Sequence, residues 1–156
     1  MNILFVCTAN ICRSVMAEGI LTKLASDPTG GHVSPRSAGV DVHEDSTPDR
    51  YTADVCTKEG IDIRLHKAWQ LTKQMLEEAN LVLCMEQMHK QIITGAFPRF
   101  AKSVFLLKEY LHEQPLDDAE IRDPIGKSRK EYEKCFIEIE KEVRRIGVLS
   151  DWFRAR

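Results

Sequence analysis

Ile3-Leu4-Phe5-Val6-Cys7-Thr8-Ala9-Asn10-Ile11-Cys12-Arg13-Ser14-Val15-Met16 is the stretch on which the fold turns. Its first four residues form an unbroken apolar run, the pattern of a strand buried on both faces. From Ser14, a residue type suited to capping, Met16, Ile20, Leu21 and Leu24 recur at helical spacing to about Ser26. A thiol therefore stands at a strand end, and an arginine six positions on stands at a helix start. In one short loop this sets a nucleophile, the N–H groups of a helix N-terminus and a planar cation, the layout of a cysteine-dependent phosphatase.

Outward from this stretch, strand and helix signals alternate. Residues 33–38 read as a second strand ended by Gly39, after a loop at 27–31. Thr47-Pro48 predicts a cap and a first helical proline, opening a helix that runs to Glu59 and stops at Gly60. Residues 72–79 read as a short helix, and Leu81-Val82-Leu83-Cys84-Met85 as a third buried strand. A helix over 87–95 and a strand over 103–106 follow. Ser128-Arg129-Lys130-Glu131 matches a capping box, opening the longest helix with Gly147 at its end. Its stripe is Tyr132, Cys135, Phe136, Ile139, Val143 and Ile146; its Lys and Glu runs read as a solvated face, and Trp152-Phe153 as a docking or fraying tail.

Such alternation implies parallel strands joined by right-handed crossovers. The expected fold is an α/β three-layer sandwich, a four-stranded parallel sheet with helices on both faces, in one domain over 1–156. Ligands of such sheets sit at the carboxyl ends of strands, where the Cys7 loop lies.

Composition narrows the function. Of 156 residues, 43% are apolar and 29% charged, enough for a real core. The net charge of −2 argues against general nucleic-acid affinity. No apolar run has the roughly 18 residues of a membrane span, so no membrane partner is expected. Met1-Asn2-Ile3 leads straight into a strand, without a signal-peptide pattern. Five cysteines, Cys7, Cys12, Cys56, Cys84 and Cys135, fit free thiols in a reducing cytoplasm, and none has zinc-site spacing with histidine. No metal is expected.

A phosphate dianion needs donors around its non-bridging oxygens. A loop curling into a helix N-terminus supplies backbone N–H groups over residues Thr8, Ala9, Asn10, Ile11 and Cys12. Arg13 adds a fork that grips two oxygens, which lysine cannot do. The same positive field favours a thiolate. Ser14 can donate to that sulfur, and Asn10 suits left-handed backbone. The leaving group needs an acid. Asp123, stiffened by Pro124 just ahead of the last helix, is the best candidate; Asp117, Asp118 and Glu120 compete. His66 and His89 read as structural, and His32 and His112 as surface residues.

The chain resembles the low-molecular-weight protein tyrosine phosphatase family over nearly its whole length. The anchors are Cys7-x5-Arg13-Ser14, Met16-Ala17-Glu18, Ser37-Ala38-Gly39, Gly60-Ile61-Asp62, the third strand and Asp123-Pro124. The resemblance implies no metal or organic cofactor and a phosphorylated protein as substrate, handled by a monomer or weak dimer. It implies Cys7 as nucleophile, Arg13 as clamp, Asp123 as acid, and Cys12 as a redox partner able to form a protective disulfide with Cys7. Ala9 and Val15 stand where members carry glycine and proline. Ile125 and His43 stand where members carry the aromatics of the cleft wall; His43 or Tyr51 is the expected substitute.

The segments Arg36-Ser37-Ala38-Gly39-Val40 and His89-Lys90-Gln91-Ile92-Ile93 look like the protein-arginine phosphatase branch of that family. That branch carries threonine where Ile11 stands; tyrosine-type members carry isoleucine. Phosphotyrosine in proteins is the expected substrate, with phosphoarginine the alternative. Arsenate reduction on this fold needs a thiol relay near the third strand. Cys56, Cys84 and Cys135 all read as buried, which disfavours it. A phosphate-binding module without catalysis is disfavoured by the joint presence of Cys7, Arg13 and Asp123.

Overall fold

The computed structural model describes residues 1–26 and 33–150. The loop read at 27–31, His32 and Trp152-Phe153 lie outside these residues. Four strands, β1 (Asn2–Cys7), β2 (Ser34–Gly39), β3 (Leu81–Cys84) and β4 (Val104–Leu106), pair in parallel in the order β2-β1-β3-β4. The helices are α1 (Arg13–Ala25), α2 (Arg50–Lys58), α3 (Lys73–Glu78), α4 (Gln87–Ala96) and α5 (Arg129–Leu149), with a 3-10 turn at Pro98–Ser103. This is the expected three-layer α/β sandwich.

The strand alternation of β1 builds the two cores. Ile3, Phe5 and Cys7 face one way and pack with Val15, Ile20, Val55 and the α5 stripe of Tyr132, Phe136, Ile139 and Val143. Leu4 and Val6 face the other way, with Leu76 of α3 and Ile93 of α4. Residues 3 to 6 are at most 2% exposed, and each such side chain contributes about 1.5–3 kcal/mol when buried. The central strand is therefore pinned from both sides, and its last residue, Cys7, inherits that rigidity.

Several boundaries differ from the sequence reading, each for a local reason. The α1 cap is Cys12, and Ser14 sits buried inside the first turn, its hydroxyl turned to Cys7 instead of to the helix backbone. Helix α2 begins after Asp49, which accepts from the Tyr51 N–H at 3.0 Å; Thr47-Pro48 precedes it in the loop. Gly60, at φ +69°, does end that helix, in a backbone region that side chains rarely adopt. The Ser128–Glu131 box does not close: Ser128 makes no side-chain cap and Glu131 pairs with Lys134 at 2.7 Å. A capping box forms instead at α4, between Glu86 and His89. Helix α5 runs through a buried Gly147 to Leu149. On its solvated face Glu142 is an exception, buried against Arg145 at 2.7 Å.

Candidate active site

Residues 7–14 curl from the end of β1 into α1 at the carboxyl edge of the sheet. The carbonyls of this loop are taken from outside it. Cys7 O accepts from Val40, Thr8 O from Asp41, Ile11 O from Asp49 and Cys12 O from Met16, all at 2.9–3.0 Å. His66 Nε2 donates to Asn10 O at 3.2 Å. With the carbonyls turned outward, the peptide N–H ends face the concave side, the arrangement of an anion nest.

Asn10 makes the curl possible. It holds φ +53°, a region that asparagine tolerates better than most side chains. Its Nδ2 donates to Ser14 Oγ and to Ser37 Oγ, each at 2.8 Å, and its Oδ1 accepts from the Trp69 N–H at 2.8 Å. These bonds fix the direction of the next ones. Ser14 Oγ already accepts from Asn10, so its proton points to Cys7 Sγ, 3.0 Å away. Ser37 likewise donates to Glu18 Oε2. Gly39 lies directly behind the loop: a Cβ there would come 2.4 Å from Thr8 O and 2.9 Å from Asn10 N. Only glycine allows this approach.

Arg13 is 1% exposed yet charged. One amino group donates to Glu86 Oε2 at 2.6 Å and to Ile121 O at 2.9 Å; the other donates to Asp123 Oδ2 at 2.8 Å. Burial works against its charge, but Cys7, Glu86 and Asp123 together outweigh it and hold the guanidinium above its ordinary pKa. Asp123 keeps its other oxygen on the Ile125 N–H at 3.0 Å. The structure thus joins Cys7, Ser14, Arg13 and Asp123 in one constellation, across 110 residues between the last two.

Cys12 is 3% exposed, and burial pushes its thiol far above the ordinary range. Burial likewise pushes Cys56, Cys84 and Cys135 up to about 12. His43, in the loop after β2, is exposed, and Ile125 is 45% exposed. Tyr51 is half-buried and meets Tyr132 edge-on at 5.4 Å, so it is engaged in the core side of the helix. Among the described residues no His/Cys/Asp/Glu group could hold a metal ion, and no helix is long and apolar enough to cross a membrane.

Sequence reasoning passed over Glu86, Glu18 and the contacts of His66 and His89. Glu86 and His89 were signalled by Glu-x-x-His directly after a buried strand. Glu18 and Ser37 belong to the Met16-Ala17-Glu18 and Ser37-Ala38-Gly39 anchors of the resemblance, and meet each other behind the loop.

The model of the low molecular weight phosphotyrosine protein phosphatase family matches residues 2–148. The chain belongs to that family. A protein-arginine-phosphatase of Bacillus subtilis is 36% identical over 147 residues, covering 94% of this chain and 95% of that protein. The low molecular weight protein-tyrosine-phosphatase Etp of Escherichia coli K12 is 31% identical over 140 residues, covering 90% and 88%. Among solved structures, a YwlE mutant from Bacillus subtilis superposes with a TM-score of 0.89 at 33% identity, covering 97% of this chain and 99% of that one. The family makes this chain a hydrolase of the protein phosphatase type, with the cysteine-based chemistry typical of its members.

Proposed function

We propose that the protein, as one domain over 1–156 in the cytoplasm, hydrolyses phosphotyrosine in proteins through a phosphocysteine on Cys7. In the first step the Cys7 thiolate forms a bond to phosphorus while the bond to the tyrosyl oxygen breaks. That oxygen keeps the electron pair and takes a proton from Asp123. In the second step water attacks phosphorus, the sulfur–phosphorus bond breaks back to thiolate, and Asp123 takes the water's proton. Arg13 and the loop N–H groups hold the phosphoryl oxygens throughout. Asn10 and Ser14 keep the loop and the sulfur in place, Cys12 serves as redox partner, and His43 and Ile125 wall the cleft.

Ile11 carries the choice of substrate. It is half-buried in the loop, and its aliphatic side chain suits a flat phenyl ring and offers a phosphoguanidine no acceptor. One observation favours a second reading: the 36% identical relative from Bacillus subtilis is named a protein-arginine-phosphatase. Matched phosphotyrosine and phosphoarginine peptides separate the two. A kcat/KM preference for phosphotyrosine of about tenfold or more, some 1.4 kcal/mol of transition-state binding, is expected. The reverse preference overturns the substrate assignment. The burial of Cys56, Cys84 and Cys135 supports setting arsenate reduction aside.

A further inference from the structure

The loop carries two side-chain hydroxyls, and they are used differently. Ser14 is fully buried between Asn10 and Cys7. Thr8, next to the nucleophile, is half-buried, and its partner among the described residues is His89 of α4: Thr8 Oγ1 lies 2.9 Å from His89 Nε2.

His89 itself is wholly buried. Burial and then the Arg13 charge lower its pKa to about 4, against weaker opposition from Asp123 and Glu120, so the ring is neutral at neutral pH. Its Nδ1 accepts the Glu86 N–H at 3.1 Å, as half of the α4 capping box. A neutral imidazole has a single N–H, which must then be on Nε2 and be donated to Thr8 Oγ1. The Thr8 hydroxyl proton is thereby turned away from His89. The same helical turn reaches the far end of the loop as well, since Glu86 Oε2 lies 2.6 Å from Arg13 and 3.6 Å from His89 Nε2. One Glu-x-x-His turn thus touches both the first residue after Cys7 and the arginine that closes the loop.

We propose that His89 is a positioning residue acting through Thr8: it orients the Thr8 hydroxyl as a donor to an oxygen of the phosphoryl group that Arg13 holds. This rests on the phosphatase reading above. Backbone N–H groups and Arg13 bind the phosphoryl group whatever Thr8 does; the hydroxyl adds one further neutral donor to a charged acceptor.

Inhibition by inorganic phosphate and hydrolysis of p-nitrophenyl phosphate test the proposal in the full chain. Thr8→Val and His89→Leu are each expected to weaken phosphate inhibition by roughly tenfold. Thr8→Ser, which keeps the hydroxyl, restores it, and His89→Gln, which keeps a donor, restores it in part. The double variant Thr8→Val/His89→Leu is expected to be no worse than either single one, because the two act as a unit. Unchanged phosphate inhibition in Thr8→Val, or additive losses in the double variant, overturns the proposal and leaves His89 a prop for α4. Should His89→Leu fail to fold, Thr8→Val against Thr8→Ser still decides the matter. A wild-type chain that hydrolyses no phosphate ester overturns the phosphatase reading and this proposal with it.

Discussion

The two sides of the phosphate loop are built from different chemistry. Behind it, the neutral Asn10 side chain bonds to Ser14 and Ser37, each of the three at most 3% exposed, with the Glu18 carboxylate beyond Ser37. In front, Arg13 is held by the carboxylates of Glu86 and Asp123, whose side chains are 25% and 40% exposed. The rear has fixed partners and sets a conformation. The front holds charge, and Arg13 can exchange a carboxylate partner that is partly open to water for a phosphoryl oxygen at modest cost. Rigidity behind and exchangeable charge in front is what a site needs if it must keep its shape while charge moves through it.

Substitutions on the two sides should therefore fail in different ways. The largest effect is expected in front: Asp123→Asn lowers kcat on phosphotyrosine peptides by roughly 10²–10⁴-fold. Binding of inorganic phosphate persists, and the loss is smaller for p-nitrophenyl phosphate, whose leaving group needs less protonation. Steady-state kinetics on both substrates checks this; equal losses would move the acid elsewhere. Next, Gly39→Ala forces a methyl group against Thr8 O and Asn10 N. It should cost about 1–3 kcal/mol in a thermal melt and disable the loop along with the fold. A stable, active Gly39→Ala variant would break the claim that the rear is rigid.

Smaller still, Ser37→Ala strands one Asn10 N–H in the interior. It should lower unfolding free energy by about 1–3 kcal/mol with less than a tenfold change in kcat. The smallest effect on stability at neutral pH belongs to the titration of His89. Its folded pKa of about 4 lies below the 6.5 of an unperturbed ring. Between those values the unfolded chain binds a proton there that the folded chain refuses, so this contribution lowers stability as pH falls from 6.5 toward 4 and is close to zero at pH 7. Glu86, Arg13, Asp123 and Glu120 face the same ring and are all retained in a His89→Gln variant. Chemical melts across that pH range should show a shallower acid loss in the variant.

The front and rear also differ in how far the sequence revealed them. The cysteine, the arginine and the strand-loop-helix context lie within eight consecutive residues, so periodicity and motif spacing located them. Strands β1 and β3 followed from the apolar runs Ile3–Val6 and Leu81–Met85, whereas β2, the largely polar Ser34–Gly39, was marked by the loop before it and the glycine that ends it. The partners of Arg13 were harder, because Glu86 is 73 residues away and Asp123 is 110. Proline after Asp123 gave a local clue; for Glu86 the clue was a capping pattern that serves helix and site at once. Ser14 shows the opposite error. Its residue type predicts a cap, but the chemistry at Cys7 claims its hydroxyl, and Cys12 takes the cap position. Asp49 outdid Thr47 because its carboxylate reaches the Tyr51 N–H while its own N–H bonds Ile11 O. That link between loop and helix is tertiary and invisible to spacing.

Every role proposed at this site depends on Cys7 as the nucleophile. Acid quench within the first turnovers on a phosphotyrosine peptide, followed by peptide mass mapping, tests it most directly. One phosphoryl group is expected on the peptide containing Cys7, and none in Cys7→Ala. Hydrolysis that proceeds in Cys7→Ala, or a phosphoryl group found on another residue, would contradict it.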